Sequence, residues 1–461
     1  MIRIDDPLGK YEYEIHSVVQ AFYPGEEIVI ASSGEGSLLS LETGEGERLD
    51  MEMPADDKDE LKRRLYRALS ERTGRRLPWG SLTGMRPVRL ARRRLLAGMS
   101  EGETLESMKQ EYLISDEKGR LAIEVADIEN SLLEGLSYEG HYSLYVDIPF
   151  CPTRCVYCSF TSNAVGKDRS LVRDYIGALK EEIIYSAQLM GGRKPDSIYI
   201  GGGTPTALLP EEMDDLLLCL GQNFAAGEVP EYTVEAGRPD SITAEKLEVL
   251  KKHGVSRISV NPQSMNRKTL DAIGRRHSVE QVYEAMALAR EAGFDNINMD
   301  TILGLPGEDR EDVQHTFEAI KELDPESLTI HTLAVKRASV LRENLDQEGY
   351  GALSHTGEMM DIACRAARDM GMKPYYLYRQ KNTAGNLENT GYAKPGKYCL
   401  YNILINEEVQ DILALGAGAV SKRMDPEGNA SRSANHKEVR DYIANIEKMK
   451  EKKRSLFTSA L

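Results

Sequence analysis

Residues 143–158 read Ser143-Leu-Tyr145-Val-Asp147-Ile-Pro-Phe-Cys151-Pro-Thr-Arg-Cys155-Val-Tyr157-Cys158, a short β-rich run that opens into a loop with three cysteines in eight positions. Downstream, β-rich runs keep recurring: Ser197 to Ile200, Tyr232 to Ala236, Arg257 to Val260, Asn296 to Asp300 and Ser327 to Thr332. Between them lie apolar stripes at helical spacing, Leu171, Tyr175, Leu179 and Ile183 in one segment and Val313, Phe317 and Ile320 in another. Six strand-and-helix units between residues 143 and 332 imply a parallel sheet with right-handed crossovers, either an open doubly wound sheet or a barrel.

The surrounding chain sets bounds on this core. Its 461 residues suggest two to four folding units. With 41% apolar residues and 39 glycines it has the composition of a globular protein. The formal charge of −16 repels nucleic acid and anionic membrane over most of the surface, so no nucleic-acid partner is expected. One stretch runs against that trend: Lys62 to Arg94 holds twelve basic residues and a single acid, Glu71. Residues 1 to about 55 read as a small β unit, with Tyr11 to Ile15 and Glu27 to Ala31 as strands and glycine turns at Gly34-Glu-Gly36 and Gly44-Glu-Gly46. Helices are expected at 57–72, at 87–113 and from Lys437 to Arg454. The composition shifts divide the chain into an N-terminal α/β domain with the basic helical tract (1–138), a core (139–380) and a C-terminal extension (381–461). No apolar run approaches the ~18 residues of a membrane helix and the start lacks a signal peptide's pattern, so a cytoplasmic location is expected.

Six cysteines are too sparse for a disulfide scaffold. Three thiolates on one loop can hold a metal centre. A structural zinc site closes with four ligands, and the nearest further candidate, His141, sits at the far end of the preceding strand. Three ligands around a four-iron cluster leave one iron open. After the second strand comes Gly201-Gly-Gly-Thr204-Pro-Thr206, which lacks both the GxGxxG spacing and the lysine of a phosphate loop. Three successive glycines fit a backbone that approaches a ligand closely. Glu235 ends the third strand, Gln263 follows the fourth and Asp300 closes the fifth, and in a parallel barrel all of these emerge on one face with the cysteines. Cys219 and Cys364 read as core thiols, and no role is assigned to Cys399. His277 and His331, near strand ends, read first as structural histidines.

Taken together, Tyr145-Val-Asp-Ile-Pro-Phe-Cys151 with CxxxCxxC, GGGTPT, Val234-Glu235, Pro262-Gln263, Ile273-Gly-Arg275-Arg-His277 and Asn298-Met-Asp300-Thr-Ile-Leu-Gly304 resemble the radical S-adenosylmethionine (SAM) enzymes of the oxygen-independent coproporphyrinogen III dehydrogenase family. The likeness extends through Tyr392-Ala-Lys-Pro-Gly396 and Leu415-Gly-Ala-Gly-Ala419. The N-terminal Leu77-Pro-Trp79-Gly80 and Thr83-Gly-Met-Arg86-Pro87 resemble the HemZ branch.

This resemblance implies a partial (β/α)6 TIM-like barrel between an N-terminal α/β domain and a C-terminal extension. It implies that Cys151, Cys155 and Cys158 bind a [4Fe-4S] cluster. It further implies that Tyr145, Tyr157, Gly202, Gly203, Thr204, Glu235, Gln263, Arg275, Asp300 and Ala334 contact SAM. The implied activity is oxidative decarboxylation of coproporphyrinogen III to protoporphyrinogen IX in anaerobic haem biosynthesis. The radical derived from SAM takes hydrogen from the β-carbon of a propionate, after which carbon dioxide and an electron leave. The implied partners are a tetrapyrrole and a reducing donor such as flavodoxin or ferredoxin. Three positions depart from the family pattern: Asp147 replaces a histidine, Phe160 a fourth cysteine, and Tyr401-Asn402 begins the segment where the family's haem chaperones carry His-Asn-x-x-Tyr-Trp. The alternatives are therefore haem delivery, or radical methyl transfer or ring opening on haem. A substrate with four propionates needs cations, and from the basic tract Arg86 is the favoured residue.

Overall fold

The computed structural model describes all residues except 33, 35, 36, 45, 55, 85, 137–139, 161, 167, 335–355, 381, 382 and 459–461. The boundaries expected at 138/139 and 380/381, and parts of the glycine turns at 34–36 and 44–46, lie outside the described residues. The three-way division remains our proposal for the folding units. Contacts group the chain into two units, Met1–Ser131 with Thr332–Glu358 and Leu377–Thr390, and Leu132–His331 with Met359–Tyr376 and Gly391–Leu461.

The first unit carries a small sheet of β1 (Ile2–Asp5), β2 (Ile28–Ala31), β3 (Leu38–Glu42) and β4 (Arg48–Glu52) in the order β2-β1-β3-β4. Tyr11 to Ile15, expected as a strand, instead opens the helix Glu12–Phe22. Its Ile15, Val18, Val19 and Phe22 are all buried, an i, i+3, i+4, i+7 stripe that five residues read alone cannot reveal. The basic tract forms Lys58–Thr73, capped by Asp57, and Pro87–Leu96; Ser100 caps a separate helix, Glu101–Tyr112, so the expected 87–113 helix is broken in two. Part of its charge is neutralised at home: Lys62 pairs with Asp59, Arg63 and Arg64 with Glu60, Arg72 with Glu47 and Arg94 with Glu111. Trp79 is fully buried beside Val88, Met108 and Ala122, and its indole donates to Glu388 at 2.7 Å. Lys118 reaches the other Glu388 oxygen at 2.8 Å, so this buried carboxylate is paired on both sides. Gly80 allows the turn to form, because a Cβ there would lie 2.1 Å from the Tyr112 carbonyl.

The six expected strands are all present: β5 (Tyr142–Ile148), β6 (Pro195–Gly202), β7 (Glu231–Gly237), β8 (Arg257–Val260), β9 (Ile297–Leu303) and β10 (Ser327–Thr332). They stand side by side in chain order within an eleven-stranded sheet that does not close, and the four neighbouring pairs from β5 to β9 are parallel. A partial (β/α)6 barrel results. Beyond β10 lie β12 (Glu388–Ala393) and then β11 (Lys373–Arg379), while β13 (Asp411–Leu415) pairs parallel to β5 and is followed by antiparallel β14 (Val420–Met424) and β15 (Ala430–Ala434). The C-terminal charged segment is two helices, Val439–Ala444 and Ile446–Thr458, the second anchored by Lys453 on the buried carboxylate of Glu182. Glu182 also accepts from the Gly416 amide at 2.8 Å and the Tyr442 hydroxyl at 2.7 Å, so the C-terminus holds the loop after β13 in place.

Candidate active site

Barrel strands covered on both faces read as nearly continuous apolar runs, so a half-buried polar residue within one marks an interior facing something else. Tyr145 and Asp147 on β5, Tyr199 on β6, Glu235 on β7, Asp300 on β9 and His331 on β10 are such positions. Asp300 and Glu235 lie inside their strands, which run on for three and two residues. Tyr145, Tyr199 and Tyr401 form a stack, with centroids 4.5 Å apart for Tyr199–Tyr401 and 6.1 Å for Tyr145–Tyr401. Tyr401 is the second residue of the helix Leu400–Glu407, whose first two amides donate to Glu231 at 2.6 and 3.2 Å.

The carboxylates are tied into this layer. Tyr145 donates to Asp147 at 3.1 Å and Tyr199 to Glu235 at 2.5 Å. Burial pushes Asp147 up to about 7. Burial does the same to Glu235, also to about 7, with the charges of Asp300 and Asp147 adding to it. Burial acts on Asp300 too, but His331 at 3.9 Å and the Asn298 amide at 2.7 Å outweigh it and hold its carboxyl below the usual range.

The glycine run is required by the protein's own atoms. A Cβ on Gly201 would stand 2.9 Å from the Glu235 carboxyl carbon, on Gly202 (φ 104°) 2.6 Å from Asp147 Oδ2, and on Gly203 2.5 Å from the Phe150 carbonyl. The close approach read from sequence is thus real, and the groups approached are two site carboxylates and the strand leading to the cysteines.

The cysteine loop is held at several points. Phe150–Cys151 pairs with Asn163–Ala164, the Val156 amide donates to Ile273 O at 3.1 Å, and Thr204 Oγ1 meets Cys151 Sγ at 3.5 Å. Arg238, 3% exposed, donates from Nη1 to Thr153 O at 3.2 Å and Thr153 Oγ1 at 2.5 Å, while its other nitrogens fork onto Asp240 at 2.9 and 2.8 Å. Burial, reinforced by the neighbouring thiols, pushes Cys151 and Cys158 up. A cationic iron centre would reverse that balance. Among the described residues no three His, Cys, Asp or Glu side chains are gathered tightly enough for a single ion, which is how zinc would hold them. A cluster needs thiolates on separate irons, and three cysteines on one loop supply that donor set.

Beside this loop Arg275 is buried and donates to the Asn261 carbonyl at 2.5 Å, with Tyr157 and Cys155 against its guanidinium. Its Nε, Asn261 Oδ1 and Gln263 Oε1 are buried without a hydrogen-bond partner among the described residues. Gln263 is also held at φ 67°, a left-handed conformation that a non-glycine residue adopts at a cost. An unmet guanidinium donor and two unmet amide oxygens, in one unit with the carboxylates of Glu235 and Asp300, suit a zwitterion with ribose hydroxyls, and SAM has that chemistry.

Tyr145, Tyr157, Gly202, Gly203, Thr204, Glu235, Gln263, Arg275 and Asp300 therefore belong to one unit with the three cysteines. Ala334, in an isolated bridge with Thr383, and Arg86, which precedes the helix Pro87–Leu96, belong to the other, and their part in the site is a proposal. Sequence reading missed Tyr199, Arg238, Asp240 and any packing role for Tyr401. Arg238-Pro-Asp240 follows β7 directly, as Gln263 follows β8, and that shared position was the available signal. Cys219 is buried as expected; Cys364 is only half-buried and receives the Tyr392 hydroxyl, and Cys399 is buried against Glu231.

A partial parallel barrel with a CxxxCxxC loop at its carboxylate-bearing strand ends defines a radical SAM protein, and residues 145–320 match the family model described as "Radical SAM superfamily". Such proteins use a [4Fe-4S] cluster and SAM. Over 384 residues the chain is 42% identical to the oxygen-independent coproporphyrinogen-III oxidase-like protein HemZ of Bacillus subtilis, covering 82% of this chain and 77% of the relative. The chain belongs to this oxygen-independent coproporphyrinogen-III oxidase-like family, in which HemW and HemN proteins also fall. It is 32% identical to the B. subtilis heme chaperone HemW over 60% of this chain and 70% of the relative. The structure of coproporphyrinogen III oxidase (HemN) from Escherichia coli shares the fold, with a TM-score of 0.56 at 22% identity over 70% of this chain and 73% of that one. No helix among the described residues is long and apolar enough to cross a membrane.

Proposed function

We propose that the protein catalyses SAM-dependent oxidative decarboxylation of coproporphyrinogen III to protoporphyrinogen IX. The observation that carries this choice within the family is Tyr401. It stands where the family's haem chaperones carry a histidine, yet its ring is buried in the tyrosine stack and burial pushes its phenol far above the usual range. A phenol held neutral inside the barrel is not offered to haem iron as a ligand.

When bound, the cluster and SAM supply the one-electron chemistry that activates a carbon–hydrogen bond. The chain's residues then have separable tasks. Cys151, Cys155 and Cys158 hold the cluster. Arg275 pairs with the methionyl carboxylate, and Glu235 and Asp300 accept from ammonium or ribose hydroxyls. The tyrosine layer and the helix Leu400–Glu407 keep water from the interior. Arg86 pairs with a substrate propionate. The propionate loses hydrogen, carbon dioxide and an electron, so a one-electron acceptor completes turnover.

Anaerobic incubation of the reconstituted protein with coproporphyrinogen III, SAM and dithionite, run beside a spectral haem titration, tests the reading. We expect vinyl products and weak haem binding. Tight stoichiometric haem binding with no vinyl product would favour the second reading, haem delivery, to which the HemW likeness points.

A further inference from the structure

A radical reaction of this kind must be fed one electron at a time, and the outer face of the cysteine loop has the character of a place where that happens. Beside the loop lies a depression of about 410 Å³ lined by Arg154, between the first two cysteines, and by Arg267, Arg275 and Arg276 from the segment after β8, with Asp271 the one acid among its lining residues. Arg154, Arg267 and Arg276 are exposed, and Asp271 is already engaged by Arg267 at 2.8 Å. Three outward guanidinium groups around one hollow oppose the mean charge of a chain at −16. The two walls are joined: the Val156 amide of the loop donates to Ile273 O, and a Cβ on Gly274 would lie 3.7 Å from Arg154 O. On the same loop, two residues past Cys158, Phe160 is 64% exposed. An exposed aromatic with arginines is the composition of a protein-binding centre, and the arginine field gives it a sign.

We propose that this face docks an acidic one-electron carrier protein, which delivers its electron to the cluster held by Cys151, Cys155 and Cys158. In the transfer the carrier is oxidised by one electron and the cluster reduced by one, with no bond made or broken. The proposal rests on the radical reading above. The hollow adjoins the thiolates in the chain itself, since Arg154 of its lining stands between Cys151 and Cys155, while Thr204 packs against Cys151 and Gly203 against Phe150. Arginines at the rim act chiefly on encounter, so their loss is read first in the rate and its salt dependence.

The test uses the reconstituted full-length protein and reduced flavodoxin as probe. The Arg267→Glu/Arg276→Glu double variant should slow bleaching of the iron–sulfur absorbance by reduced flavodoxin at least ~10-fold, flatten its salt dependence and weaken flavodoxin binding by calorimetry. Arg154→Gln should act in the same direction by less. Reduction by dithionite, which needs no protein dock, should be unchanged in both. Equal flavodoxin binding and bleaching in all variants would overturn the docking proposal, as would an unchanged flavodoxin response with a raised KM for coproporphyrinogen III, which would make the hollow a substrate carboxylate site. If dithionite-reduced wild type cleaves no SAM, the radical reading fails and takes this proposal with it; if it does cleave SAM, a flavodoxin result that ignores the arginines condemns the docking face alone.

Discussion

Removing the Arg238 guanidinium should loosen the cysteine loop without touching a cluster ligand. In Arg238→Gln both bonds to Thr153 disappear, and the partly buried Asp240, which burial would raise but Arg238 holds below the usual carboxylate range, loses its fork. A hydrogen bond from a charged donor contributes ~1.5–3 kcal/mol. One of the two is long at 3.2 Å and both share a single nitrogen, so together they count as about 3 kcal/mol. At ~1.4 kcal/mol per tenfold, a loop that must open to release iron would open roughly 140 times more often. The assay is the first-order rate of iron transfer from the anaerobically reconstituted protein to an excess of chelator. Asp240→Asn, which keeps the guanidinium on Thr153 but frees it to rotate, should give a smaller acceleration of ~10-fold. A rate for Arg238→Gln within about threefold of wild type would refute the clamp, given that a lost 3 kcal/mol cannot hide in so small a change.

Replacing any one of Cys151, Cys155 or Cys158 by Ala should remove the iron–sulfur absorbance and SAM cleavage together, whereas Cys219, Cys364 and Cys399 variants should keep both; undiminished cleavage in any of the first three would contradict the ligand set. Asp300→Ala and Glu235→Ala should weaken SAM binding by ~1–3 kcal/mol in calorimetry while iron content stays near normal. Asp147 and Glu235 are both raised to about 7 in the folded protein, so the stability they confer is complete below their ordinary carboxylate range and is lost as pH rises through about 7. Melting of the cofactor-free protein should therefore shift downward across that window, and the Asp147→Asn/Glu235→Gln variant should lose most of the slope. Gly202→Ala forces a Cβ to 2.6 Å from the Asp147 carboxylate at φ 104°, and we expect soluble yield or SAM binding to collapse; wild-type behaviour in both would mean the glycine run is incidental.

The core was legible because strand and helix periods differ: all six barrel strands stand where the β-rich runs lie, with β5, β6 and β7 running longer and β9 extending past Asp300. Where a period needs more residues than the run supplies, reading failed, as at Tyr11 to Ile15, whose continuation through Phe22 reveals a helical stripe. The cysteines, Glu235, Gln263 and Asp300 could be found because each lies in the C-terminal half of a strand or just beyond it, and parallel strands end on one face. Arg238, which follows β7 as Gln263 follows β8, carried the same positional signal, but Tyr199 and Tyr401 could not be singled out that way. Their importance comes from what they touch across 36 and 202 positions of chain, at Glu235 and again Tyr199, and no local pattern records such meetings. In the basic tract Lys62, Arg63, Arg64, Arg72 and Arg94 pair with acids of their own unit, and a run of charge read in sequence does not record which of its members are engaged in this way.

Coupled chemistry at the thiolate and carboxylate face of the barrel is the central claim. The most direct measurement is to count 5′-deoxyadenosine and vinyl groups formed from coproporphyrinogen III under dithionite in the same anaerobic reaction. The account predicts that they rise together, one per propionate lost, and that both vanish in Cys155→Ala. SAM cleavage that proceeds while the propionates stay intact, at every substrate concentration tried, would contradict it.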